Sequence, residues 1–194
     1  MTSDLVWVAV FILAVTSITL LISQKWRVSF IALIVQYLAV FGLVALVWPL
    51  NLAIIKPVVG IMAGVMLSMA KPDQDILDQA YMGISGRVFR VLAAIAVMGL
   101  VWSLSQNIGN WLPGNPELHL GGLILIGSGL LHLGMTTRPL RVILALLTVL
   151  SGFEILYALV ETSFLVNGLL AIANLALALV GAYLLASPEM EPGA

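Results

Sequence analysis

The sequence predicts an all-α fold, a polytopic membrane bundle of about seven transmembrane helices, and three observations carry that reading. Of 194 residues, 62 % are apolar and 9 % are charged, whereas soluble domains carry about 25 % charged residues. The apolar residues fall into runs of roughly the 20 residues that a helix needs to cross a bilayer. The few basic residues gather in alternate connections between those runs, the asymmetry of a multi-pass chain.

In order, the first span is about Leu5–Ile22, ending at Ser23-Gln24-Lys25-Trp26-Arg27. The start, Met1-Thr2-Ser3-Asp4, has no basic region ahead of its apolar run, so this reads as a retained span and not as a secretory signal. The second span is about Val28–Trp48, closed by a tight hairpin at Pro49-Leu50-Asn51. The third is about Leu52–Ala70 and contains Lys56 followed by Pro57. The polar segment Lys71–Arg87 has Asp73, Asp75 and Asp78 early, and its Ile76, Tyr81 and Met82 suit a short interfacial helix. After a fourth span at about Val88–Leu104, the Asn, Gly and Pro residues and Trp111 of Ser105–Glu117 read as a loop at headgroup level.

The fifth span is about Leu118–Met135, diluted by His119, His132 and five glycines; the sixth is about Leu140–Val160 and the seventh about Phe164–Leu185. The whole is read as one transmembrane domain: four spans in 1–117, a three-span unit at 118–186 and a short acidic cytoplasmic tail at 187–194. Lys25 and Arg27 fall in the first connection, Lys71, Arg87 and Arg90 in or beside the third, and Arg138 and Arg141 in the fifth; the second, fourth and sixth contain no Lys or Arg. By the positive-inside rule the N-terminus is outside and the C-terminus inside. Dropping one span would scatter the same charges over both faces.

Several chemistries are excluded. With no cysteine, this chain cannot form disulfides or supply thiolates to zinc or iron–sulfur clusters. It has no phosphate loop, zincin or nucleophile-elbow motif, and its two histidines, His119 and His132, lie near opposite ends of one span, unsuited to a bis-histidine haem. No cofactor, metal or nucleic-acid partner is expected.

The polar residues inside the spans are the candidate site. Glu154 lies within the sixth span, where an ionisable group costs about 2.5–3.5 kcal/mol on the translocon scale and marks either an ion pathway or a structural polar contact. Lys56 sits about five residues below the outer end of the third span and Glu154 about six below that of the sixth, so the two can meet as a pair at one depth. Asn174 and Gln36 lie near mid-membrane and His132 toward the inner end, giving a ladder from the outer half to the cytoplasm. Each also has a plainer reading: Lys56 snorkelling to headgroups, Gln36, Asn167 and Asn174 as interhelical glue worth about 0.6 kcal/mol each, and His132 as a satisfied inner-end histidine. Glu161 reads as solvated at the outer surface. Gly121, Gly122, Gly127, Gly129 and Gly134 read as sites of close helix approach.

The last three spans resemble the three-helix K subunit of complex I, whose middle helix carries a Gly-Leu-Glu-Ile/Leu-type motif; Gly152-Phe153-Glu154-Ile155-Leu156 matches it. Over nearly its full length the chain is similar to the E subunit of hydrogenase-4-type complexes. Lys25-Trp26-Arg27-Val28-Ser29-Phe30 stands before the second span and Ile54-Ile55-Lys56-Pro57-Val58 opens the third, as in that family. The resemblance implies a non-catalytic inner-membrane subunit of a proton- or sodium-translocating oxidoreductase. Its partners would be antiporter-like and other membrane-arm subunits and the lipid bilayer, and Glu154 would stand for the family's axial glutamate. The family's second acid, in the last helix, is here Asn174, which cannot exchange a proton. The alternatives are a purely structural or assembly subunit and a free-standing small transporter, although no inverted repeat relates the halves of the chain.

The cysteine-free background makes the topology directly testable. A membrane-impermeant maleimide should label Glu161→Cys only from outside and Arg138→Cys only from the cytoplasmic face; labelling of both from one face would refute the seven-span orientation.

Overall fold

The computed structural model describes residues 2–23, 25–70, 84–109 and 111–186, and all regular structure among them is α-helical. The helices are α1 (Thr2–Ile22), α2 (Trp26–Val44), α3 (Leu50–Ala53), α4 (Ile55–Met69), α5 (Ile84–Ile108), α6 (Pro116–Gly134), α7 (Pro139–Val160) and α8 (Phe164–Ala186). Among the described residues seven helical segments are long and apolar enough to cross a membrane, with α3 and α4 together making the third. The protein is a multi-pass α-helical membrane protein. The interfacial helix expected around Ile76–Met82 and the acidic tail at 187–194 lie outside the described residues.

Local chemistry explains where the helices start and stop. Pro116 and Pro139 each open a helix, where a missing N–H costs nothing because the first-turn donors have no intrahelical partner. The third span is not the single helix expected over Leu52–Ala70: it breaks at Ile54. Pro57 is the cause, because it cannot donate to the carbonyl of Ala53 and its ring crowds that oxygen. Helix α5 runs about one turn beyond the expected Val88–Leu104 at both ends. The second span ends early, at Val44, and residues 45–48 turn toward Pro49.

Helices α6 and α7 form the tightest pair. A Cβ on Gly152 would lie 2.6 Å from the Gly122 carbonyl oxygen and 2.8 Å from the Ile126 nitrogen, and one on Gly129 would lie 3.0 Å from the Ala145 carbonyl oxygen. These backbones are close enough that only hydrogen fits between them. Gly121 faces Leu43 of α2 and Gly127 faces Val101 of α5, whereas a Cβ on Gly134 would find nothing within 4 Å, so that glycine makes no close approach. The expectation for Gly134 fails because it is the last residue of α6, where the helix has already left its neighbours.

Around this pair, α1 and α2 pack on one side, α4 bridges α2 and α8, and α8 also rests on α7. Helices α5 and α8 are peripheral and present apolar side chains such as Leu92, Ile95, Leu169, Ile172 and Val180 outward, as lipid-facing helices do. Two apolar cores fill the bundle. One gathers Val10, Leu13, Leu43, Trp48, Leu118, Leu125 and Ile155 in the half nearer the α2–α3 turn. The other gathers Leu20, Leu33, Tyr37, Leu67, Leu144 and Leu147 in the opposite half. At that second end Arg90 Nη1 donates to the Leu21 carbonyl (3.1 Å) and Arg141 Nη2 to that of Ser23 (3.4 Å), so cations from two connections cap the last carbonyls of α1. The basic residues of separate connections thus meet at one end of the bundle.

The glycine contact makes a stability prediction. Gly152→Val should lower the unfolding midpoint of the protein in detergent, by about the 1–3 kcal/mol of an overpacked core, while Gly134→Ala should not lower it. Equal midpoints for Gly152→Val and the parent would contradict the packing described.

Candidate functional site: a buried Lys–Glu pair on four helices

Lys56 lies in the first turn of α4, just past the break that Pro57 imposes. Glu154 lies on α7, six residues before its end at Val160, and Asn174 on α8, ten residues after its start at Phe164. The helices are antiparallel, so those positions differ in depth by about four residues, or roughly 6 Å. Side chains lean toward the N-terminus of their own helix, which tips Glu154 toward the basic end and Asn174 away from it. The lean closes the gap.

The ammonium of Lys56 lies 3.2 Å from Glu154 Oε1, with the two side chains 3 % and 1 % exposed. The contact is at ion-pair distance but is not aligned as a hydrogen bond. Asn174 Nδ2 donates to the same Oε1 at 2.8 Å and to the Leu170 carbonyl at 3.0 Å. Tyr37 Oη, from α2, donates to Asn174 Oδ1 at 2.7 Å. The ring of Tyr37 lies directly on Gly60 of α4, where any side chain would collide with it. On the other side of the pair, the Trp48 ring centroid is 5.6 Å from Lys56 Nζ, within cation–π range. Trp48 is itself held by its Nε1–H, which donates to the Ala158 carbonyl at 3.1 Å.

A single polar unit therefore joins α2, α4, α7 and α8. Its charges sum to zero, which is what allows them to sit between two apolar cores. Either charge alone would be left without its counter-ion. Chemically, Glu154 can take up and release a proton and Lys56 supplies a counter-charge that feels the change. Asn174 passes hydrogen-bond polarity between the carboxylate and Tyr37 but carries no proton of its own.

Of the five residues expected to form a ladder, the structure brings together Lys56, Glu154 and Asn174. Gln36 is fully buried one residue before Tyr37, yet neither its amide nitrogen nor its oxygen has a hydrogen-bond partner, and no bond links it to the unit. His132 is buried at the basic end, within electrostatic reach of Arg141 and Arg90. Arg141 precedes Glu154 by thirteen residues of α7, about 20 Å. Glu161, as a surface acid, is exposed and accepts from Tyr157 Oη at 3.4 Å.

Sequence reasoning misses Tyr37, Trp48 and Gly60. A tyrosine in mid-span does carry a signal, because a buried hydroxyl needs a partner; a glycine facing it, or a tryptophan at a span end, has too many ordinary uses to stand out.

These features define a class: a seven-crossing helical membrane protein organised on an intramembrane ion pair. No protein-family model, curated protein or solved structure matches the chain.

The pair makes a double-mutant prediction. Lys56→Met alone should destabilise the protein by about 3–5 kcal/mol, because a buried charge loses its partner, whereas Lys56→Met with Glu154→Met should recover most of that loss. Unfolding in detergent followed by circular dichroism reads both; a double variant as unstable as the single one would mean that the charges are not paired.

Proposed function

We propose that the chain is a non-catalytic membrane-arm subunit of a complex I-like or group 4 hydrogenase-like ion-translocating complex, of the hydrogenase-4 component E type. In this reading it is seated in the inner (cytoplasmic) membrane beside antiporter-like subunits, and Glu154 carries charge in an intramembrane relay. The observation that supports it is the burial of Glu154, within the Gly152-Phe153-Glu154-Ile155-Leu156 motif, against Lys56. Ionisable residues at such depth are rare and usually functional.

The pair works electrostatically. With Glu154 ionised, the positive charge of Lys56 is masked. A proton arriving at Glu154 removes the mask, and at an effective dielectric constant near 20 a unit charge is felt at about 4 kcal/mol over 4 Å. A charged group on a neighbouring subunit would respond to that change. Trp48 keeps the ammonium in place while the carboxylate titrates, and Asn174 keeps the carboxylate oriented through the bond that Tyr37 fixes.

One observation favours a second reading, a structural or assembly subunit. The unit ties four helices together, and its innermost link is an amide that exchanges no proton. Glu154→Gln separates the two. It keeps the shape and the Asn174 contact but removes the titration, so the relay reading predicts lower respiration-driven proton uptake by inverted vesicles, with the complex still assembled by co-purification. Normal uptake by an assembled Glu154→Gln complex would leave only the scaffold.

A further inference from the structure

Three buried polar atoms around the pair have no hydrogen-bond partner: Glu154 Oε2, Lys56 Nζ apart from its ion-pair contact, and Asn167 Oδ1. Asn167 is 0 % exposed and its Nδ2 donates to the Leu52 carbonyl at 3.2 Å. Leu52 precedes Lys56 by four residues, so Asn167 lies about one helical turn nearer the membrane surface than Lys56. Asn167 and Asn174, seven residues apart, share the buried face of α8. The order from the surface inward is therefore Asn167, Lys56, Glu154, Asn174.

Leaving a buried donor or acceptor unmade costs about 1–3 kcal/mol. Three at neighbouring depths, two of them on ionisable groups, offer the polar partners that bound water requires, two to four per molecule.

On the inward side Gln36 of α2 keeps an unpartnered amide and α7 carries the buried hydroxyls of Thr148 and Ser151, each given to a carbonyl of its own helix, whereas α8 has no buried polar side chain beyond Asn174. Past Asn174 the next buried positions of α8 are Ala178 and Gly181, and a Cβ on Gly181 would meet Ile143 and Leu67. Leu33, Leu144 and Leu147 belong to the apolar cluster of that half, and the Tyr37 ring is wedged on Gly60 above it.

We infer that along α8 the Lys56–Glu154 pair is hydrated from one side only, by water molecules seated on Asn167, Lys56 and Glu154. The pair therefore exchanges protons with the face opposite the basic end, the outer face by the positive-inside rule. Asn167 is the positioning residue of that path. The inference deepens the relay reading and rests on it for its purpose, but hydration can be read without any pumping.

Cysteine accessibility tests it in membranes containing the assembled protein. The probe is the impermeant trimethylammonium-ethyl methanethiosulfonate, added to right-side-out or inside-out vesicles. It reacts with thiolates, so it reports water at the site. Lys56→Cys is compared with Val58→Cys, at similar depth but lipid-facing, and Asn167→Cys with the lipid-facing Leu169→Cys. Both path positions should react from the outer face faster than their comparators by about tenfold or more, and Ala178→Cys should stay unreactive from the inner face. Path positions no faster than their comparators, or Ala178→Cys reacting from inside, would overturn the inference. Asn167→Cys leaves the ion pair intact and decides the matter if Lys56→Cys does not accumulate. Failed labelling with pumping still lost in Glu154→Gln removes the access path alone, and labelling as described with normal Glu154→Gln pumping removes the relay alone.

Discussion

The contact between Lys56 and Glu154 is the constraint from which the rest of the bundle follows. Neither charge is tolerable alone among apolar side chains, and together they are tolerable only if their remaining lone pairs and protons are met. Asn174 meets one carboxylate oxygen, Tyr37 holds Asn174, and the Trp48 ring covers the ammonium. Each demand recruits another helix. The register of α2, α4, α7 and α8 is thereby fixed at one level, which apolar packing alone leaves loosely specified.

Backbone chemistry makes room for that unit. The helix break at Ile54 frees the first turn of α4 to carry Lys56 inward, the bare face of Gly60 accepts the Tyr37 ring, and the glycine contacts between α6 and α7 hold Glu154's helix firmly from behind. The basic end is built differently, with arginines capping the last carbonyls of α1. The bundle thus holds its ion pair in one half and its arginine caps at the opposite end.

Much of this is legible in the sequence, for physical reasons. Hydropathy reports spans because lipid cannot solvate a bare backbone, and the alternation of Lys25, Arg27, Arg138 and Arg141 with connections free of Lys and Arg fixes parity. Depth along a helix is also legible, which is why Lys56 and Glu154 can be placed at one level. Facing is not: Asn174 turns toward the pair, while Gln36 and His132 do not join it, because rotation about each helix axis depends on neighbours that hydropathy does not encode. Pro57 signals a loosened backbone but not that Lys56 would lie just past the break. Tyr37 and Gly60 are significant only as a contact between two helices, and no single-chain pattern reveals that.

The proposed function joins this geometry to a resemblance spread thinly over short apolar motifs. The geometry supplies a titratable carboxylate with a counter-charge that senses it; the resemblance supplies a setting in which such a pair has work to do. Under the proposed function, an asparagine at Asn174 in place of the second acid of the family it resembles would leave proton movement to Glu154 and to water reaching it. The most direct measurement is an infrared difference spectrum of the intact complex between rest and turnover. A relay through Glu154 predicts a carbonyl band of a newly protonated carboxyl that disappears in Glu154→Gln. An identical spectrum in that variant would contradict it.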